Sequence, residues 1–172
     1  MLPNSDAAAL TALCAGVCSA AIVDAATRRI PNAVCATTAA TGLLLAASGL
    51  SSISLTSSVV GLTMGFVIMM PGYLLGSMGA GDVKLFSAAG ALLGAGRIVP
   101  AFLFVAIAGG VLALGFAWQR GRLARTMKQT ARLCSSPFTA KTAIESPREH
   151  NRFPYGPAIA VGCVMAALMP LT

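Results

Sequence analysis

Six apolar runs, separated by short polar breaks, constrain this chain more than any other feature of it. They cover residues 7–23, 33–50, 59–75, a stretch from Val83 that fades near Gly96, residues 98–118, and a last run over 157–171. A soluble domain carries about 25% charged residues, whereas here 10% are charged and 56% are hydrophobic. A chain this apolar needs hydrocarbon as part of its solvent, and in hydrocarbon a helix satisfies its own backbone groups. The 18 glycines suit the same solvent, because small residues let helix backbones approach closely within a bilayer.

A spanning helix takes about 17 to 25 residues. Runs one, two, three and five meet that length; runs four and six are short. For run four, the shortage puts the glycine-rich segment over 76–82 at membrane depth, where irregular backbone is tolerated only against protein or a water-lined cavity. The expected fold is therefore all-α: a polytopic membrane protein of about six transmembrane helices. It forms a single membrane-embedded domain over residues 1–172, with a basic cytoplasmic loop at about 119–153. The N-terminus lacks the basic region of a cleavable signal, so the first run is expected to be retained.

Charge gives the orientation. The net charge is +7, and with six spans Arg28, Arg29, Lys84 and the eight cations from Arg120 to Arg152 fall on one side, leaving Arg97 alone on the other. The positive-inside bias then puts the basic loops in the cytoplasm and both termini outside. Trp118 and Tyr155 fit an aromatic belt at the inner interface. Within the basic loop, Leu123, Met127, Ala131 and Cys134 recur at helical spacing among cations, which reads as a short amphipathic helix on anionic lipid. The same basicity is not read as nucleic-acid binding, since the membrane surface is the natural partner of so apolar a chain.

Chemistry has few places to reside. The five cysteines (Cys14, Cys18, Cys35, Cys134, Cys163) include no C-x-x-C pair, and His150 is the single histidine. No metal-ligand spacing results, and neither a metal nor a cofactor is expected. A zinc peptidase of the H-E-x-x-H type needs two histidines. A serine or cysteine nucleophile needs a histidine base within reach, and His150 lies in the polar loop. Of the five acidic residues, Asp6 is in the N-terminal tail, and Glu145 and Glu149 lie in the basic loop. Asp24 and Asp82 remain, each where an apolar run meets a polar break, and ionisable groups at such depth are functional candidates by default.

Parity brings these two together. Asp24 ends the first run and Asp82 opens the fourth, so two intervening helices return the chain to the same leaflet. If helices one and four pack, two carboxylates share one depth. Such a pair shares a proton near neutral pH. The ionised member activates a water, the protonated one polarises the scissile carbonyl, and the pair titrates as a unit. Structural readings stand beside this one. Asp24 suits a helix-end charge facing Arg28, Asp82 a helix N-cap, Gly79 and Gly81 turn residues, and Lys84 a side chain snorkelling to headgroups.

Three separated segments carry a resemblance. The stretch over 79–85, G-A-G-D-V-K-L, resembles the G-x-G-D motif of the type IV prepilin peptidases. The stretch over 24–32, D-A-A-T-R-R-I-P-N, resembles the family's first aspartate segment, and P-Y-G-P-A-I over 154–159 resembles the segment that opens its last helix. The resemblance implies that Asp24 and Asp82 are the catalytic pair. It implies that Gly79, Gly81, Lys84, Pro31, Asn32, Pro154, Tyr155 and Gly156 shape the site. It also implies cleavage of the leader from prepilin or pseudopilin substrates, single apolar helices with a short basic leader, at the cytoplasmic face of the bacterial inner membrane. Longer relatives carry a cytoplasmic insert with paired C-x-x-C motifs and also methylate the new N-terminus. Here nine residues separate the first two runs, so the chain resembles the peptidase-only branch found with tight-adherence (Flp-type) pili. The other readings are a non-catalytic membrane component of pilus or secretion assembly, a more general presenilin-like protease, and a small carrier. A carrier fits inverted repeats, and the sequence shows none.

Overall fold

A computed structural model of the chain describes residues 4–119 and 155–169. The described residues form six helices and no strand: α1 Asn4–Thr27, α2 Asn32–Ala47, α3 Leu55–Leu74, α4 Ala80–Leu93, α5 Ala95–Gln119 and α6 Gly156–Leu168. Three of them contain stretches long and apolar enough to cross a membrane by length and composition: Ala7–Thr27, Leu55–Leu74 and Ala95–Gly115. The amphipathic segment, the basic residues from Arg120 to Arg152, Pro154 and the Trp118 side chain lie outside the described residues.

Local chemistry sets the helix ends. α1 stops where Arg28 takes φ 55° and its N–H donates to the Asp24 carbonyl at 2.7 Å, a left-handed close that satisfies one of the last carbonyls. Pro31 follows at φ −64° and leads into α2, a ring-fixed geometry that suits a helix entry.

Several run boundaries differ from the sequence reading, and two of them show the cause plainly. α2 ends at Ala47 and spans 16 residues, short of the length expected of the second run. Ser48 donates its N–H to the Leu44 carbonyl, and Gly49 turns the chain at φ 70°, so the apolar Leu50 belongs to the loop. α3 begins at Leu55, four residues before the third run, because Ser54 caps it by accepting the Ser57 N–H at 3.3 Å. The Ser/Thr-rich segment is thus part loop and part first helical turn.

The core is one helix wide. α4 touches each of the other five helices, and neighbours close a ring around it in the order α1, α2, α3, α5, α6 and back to α1. From Asp82 to Leu93 every residue of α4 but Lys84 is buried. This is possible because the segment over 87–91, S-A-A-G-A, keeps the helix thin. Gly61 of α3 and Gly90 of α4 meet backbone to backbone, a close crossing typical of helices in lipid. Ser58 donates to the Ala91 carbonyl at 2.6 Å, and Ser87 donates to the Leu62 carbonyl at 2.7 Å, so each helix bonds the other's backbone. Phe86 and Phe102 add an edge-to-face contact between α4 and α5, with centroids 6.4 Å apart. The outward faces are apolar as well: Ile22, Leu44, Val67, Leu103 and Ile107 are exposed. Exposed apolar surface on this scale marks a face that water does not cover.

Candidate active site

The C-terminal turn of α1, the first turn of α4 and the start of α6 converge at one end of the bundle. Both aspartates lie there, on helices that pack against each other, and both are buried, Asp24 at 5% and Asp82 at 8% exposure. A buried carboxylate has to be hydrogen-bonded, and backbone N–H groups meet that need in each case.

Asp24 Oδ2 accepts the Gly156 N–H at 2.8 Å. That N–H opens α6, so its own helix offers it no carbonyl, and a helix N-terminus favours a negative group. The approach requires a glycine. A Cβ on residue 156 would lie 2.9 Å from both Cβ and Oδ2 of Asp24. The third family-like segment therefore meets the first through a backbone contact made across 132 residues of sequence.

Asp82 is not the N-cap that the structural reading gave it. Gly79 holds the cap position, with extended backbone at φ −79° and ψ 152°. Asp82 sits three residues on, where its Oδ2 reaches back to accept the Gly79 N–H at 2.9 Å. This is the carboxylate half of a capping box. The helix starts earlier than the fourth apolar run suggested because Ala80 and Gly81 both enter it. Met78, one residue before the cap, packs against the core from the turn that precedes α4.

The turn between α1 and α2 and the first turn of α2 are fastened to α4 at three points. Ile30 packs against Gly81, where an added Cβ would meet Ile30 Cβ at 3.0 Å. Cys35 Sγ contacts the Gly81 carbonyl at 3.9 Å. Lys84 Nζ donates to Asn32 Oδ1 at 3.0 Å. Lys84 is exposed, as expected of a snorkelling lysine, but its ammonium has a protein partner that the sequence did not reveal. The Tyr155 ring, next to the Gly156 that touches Asp24, packs on Gly109 of α5.

The structure thus gathers Asp24, Asp82, Gly79, Gly81, Lys84, Pro31, Asn32, Tyr155 and Gly156 at one end of the molecule. Two contributors went unread in the sequence, Ile30 and Cys35. Ile30 lies within the family-like stretch over 24–32 without being singled out there, and no local signal marked Cys35. Among the described residues, no group of three or more His, Cys, Asp or Glu side chains is placed to hold a metal. The chemistry the site offers is that of carboxyl groups held by backbone donors in a largely apolar setting.

No curated protein and no solved structure gives a significant match to the chain. A family model does match, over residues 11–114, and it describes the type IV leader peptidases. The matched stretch runs from within α1, through both aspartates, into α5, and the chain belongs to the type IV leader peptidase family.

Proposed function

We propose that the protein is an intramembrane aspartyl endopeptidase. In this reading it removes the leader from prepilin or pseudopilin substrates at the cytoplasmic membrane face, with Asp24 and Asp82 as the catalytic pair. The family makes the chain a peptidase. The observation that carries the finer reading is the convergence of two buried carboxyl groups, from separate and touching helices, at one end of the bundle. In the proposed cycle the ionised member draws a proton from water, and the water attacks the scissile carbonyl. The protonated member hydrogen-bonds that carbonyl oxygen, and the departing amine takes up a proton as the roles exchange. The Gly156 N–H holds one oxygen of Asp24 and the Gly79 N–H one oxygen of Asp82, so backbone donors orient both carboxyl groups. The short connection between α1 and α2 supports a peptidase without the methyl-transfer step.

The test uses the purified full chain in lipid nanodiscs and a prepilin-type substrate, an apolar helix with a short basic leader. Asp24→Asn and Asp82→Asn each keep a carbonyl oxygen able to accept the same backbone N–H, so both variants should fold and insert normally. Each should lose cleavage by about 10³-fold or more, since a catalytic group acting in a unit takes most of the rate with it. Full cleavage by either variant would refute the assignment. The product N-terminus should remain unmethylated when S-adenosylmethionine is supplied.

A further inference from the structure

The two aspartates are carried by different helices, so their separation is only as well defined as the contacts that join those helices near them. We propose that Asn32 and Lys84 form a tether that sets the spacing of Asp24 and Asp82, and that both act as positioning residues for cleavage. The inference rests on the reading of the two aspartates as the catalytic pair.

The path between them is short. After Asp24, α1 ends at Thr27, Arg28 turns the chain, Ile30 settles against Gly81, and Asn32 opens α2. On the other side, Lys84 follows Asp82 by two positions on α4. A helix turns about 200° over two residues, so the lysine leaves α4 on a different face from Asp82. Its ammonium donates to Asn32 Oδ1 at 3.0 Å. The bond has a charged donor, which strengthens it relative to a neutral pair.

Both residues are exposed, and that separates tethering from packing. Neither side chain fills the core, so truncating one opens no cavity. The neighbouring contacts, Ile30 on Gly81 and Cys35 on the Gly81 carbonyl, bring the turn onto α4. Asn32 and Lys84 fix how far along α4 it sits. Catalysis by two groups is sensitive to such placement, since an error of about 1 Å can cost about 100-fold in rate.

The experiment measures kcat and KM for the full chain with the prepilin-type substrate. Asn32→Ala and Lys84→Met should each lower kcat by about 10- to 100-fold with KM within about twofold. The double variant should be no slower than the slower single. Asn32→Asp keeps an acceptor for the ammonium and should retain most of the rate. Wild-type kcat in Asn32→Ala overturns the tether, even if Lys84→Met is slow, because the lysine would then act through its charge alone. A double variant whose loss is the product of the two single losses also overturns it. Geometry gives a second readout that needs no cleavage. Spin labels at Ala26→Cys and Ala80→Cys, both exposed and beside the aspartates, are placed in a chain whose Cys14, Cys18 and Cys134 are alanine and whose buried Cys35 and Cys163 are kept. Asn32→Ala should broaden or shift the distance between the labels, and an unchanged distribution overturns the tether. If the wild-type chain fails to cleave, the peptidase assignment falls by itself and the label distance alone decides the tether.

Discussion

Gly156 touches Asp24 at a distance that leaves no room for a methyl group. A Cβ there would sit 2.9 Å from the carboxyl oxygen that the Gly156 N–H already serves. Gly156→Ala should therefore push the α6 entry and Asp24 apart and slow cleavage by about 100-fold, with normal insertion, as a cleavage assay beside a membrane-extraction assay would show. On the proposed reading Asp82 carries two roles, catalysis and capping, that substitution can separate. Asp82→Asn retains an acceptor for the Gly79 N–H and should melt close to wild type while inactive. Asp82→Ala strands that donor, at a cost of about 1–3 kcal/mol, and should be both inactive and less stable in detergent thermal melts. At this scale the sequence was informative about the aspartates because acids are scarce in so apolar a chain. It was silent on Asn32 with Lys84 and on Gly156 with Asp24, whose partners are 52 and 132 residues apart. Only packing decides that such residues meet.

Helix α3 approaches α4 through glycine, and the site depends on that approach because α4 carries Asp82. A Cβ on Gly61 would overlap the Gly90 carbonyl oxygen and crowd the Gly94 backbone. Backbone atoms cannot swing aside as a side chain can. Gly61→Ala should separate the two helices, lower the melting temperature and reduce cleavage together. The serine bonds across the same interface weigh less. Side-chain hydrogen bonds between membrane helices average about 0.6 kcal/mol, so Ser58→Ala or Ser87→Ala should lower stability only slightly and leave activity within about twofold. Thermal unfolding in detergent, read beside cleavage, distinguishes the two classes of variant. The elements themselves were legible from the apolar runs, and their ends less so. Ser54 and Gly49 moved two boundaries through capping and a positive φ, and hydropathy does not register either effect.

For the whole molecule, the ring of five helices around α4 explains why the fourth run is short. Its 14 residues extend about 21 Å at 1.5 Å per residue, against a hydrocarbon core of about 30 Å. A helix enclosed by protein does not have to reach both surfaces, because its neighbours cover it from Asp82 to Leu93 at every residue but Lys84. The placement of the aspartates relative to the membrane then depends on which end of the bundle faces the cytoplasm. Arg28, Arg29 and Lys84 lie at the end that holds Asp24 and Asp82, and the charge bias of the sequence predicts that this end faces the cytoplasm. Single cysteines at Ala26 and Ala80 report on that end, and one at Leu50, which is exposed in the turn after α2, reports on the other. In inside-out membrane vesicles, a thiol reagent that cannot cross the bilayer should label Ala26→Cys and Ala80→Cys and spare Leu50→Cys. Right-side-out vesicles should give the reverse pattern. Labelling of Ala26→Cys and Ala80→Cys from the outside would turn the bundle over, and a leader presented from the cytoplasm would then have no carboxyl pair to meet.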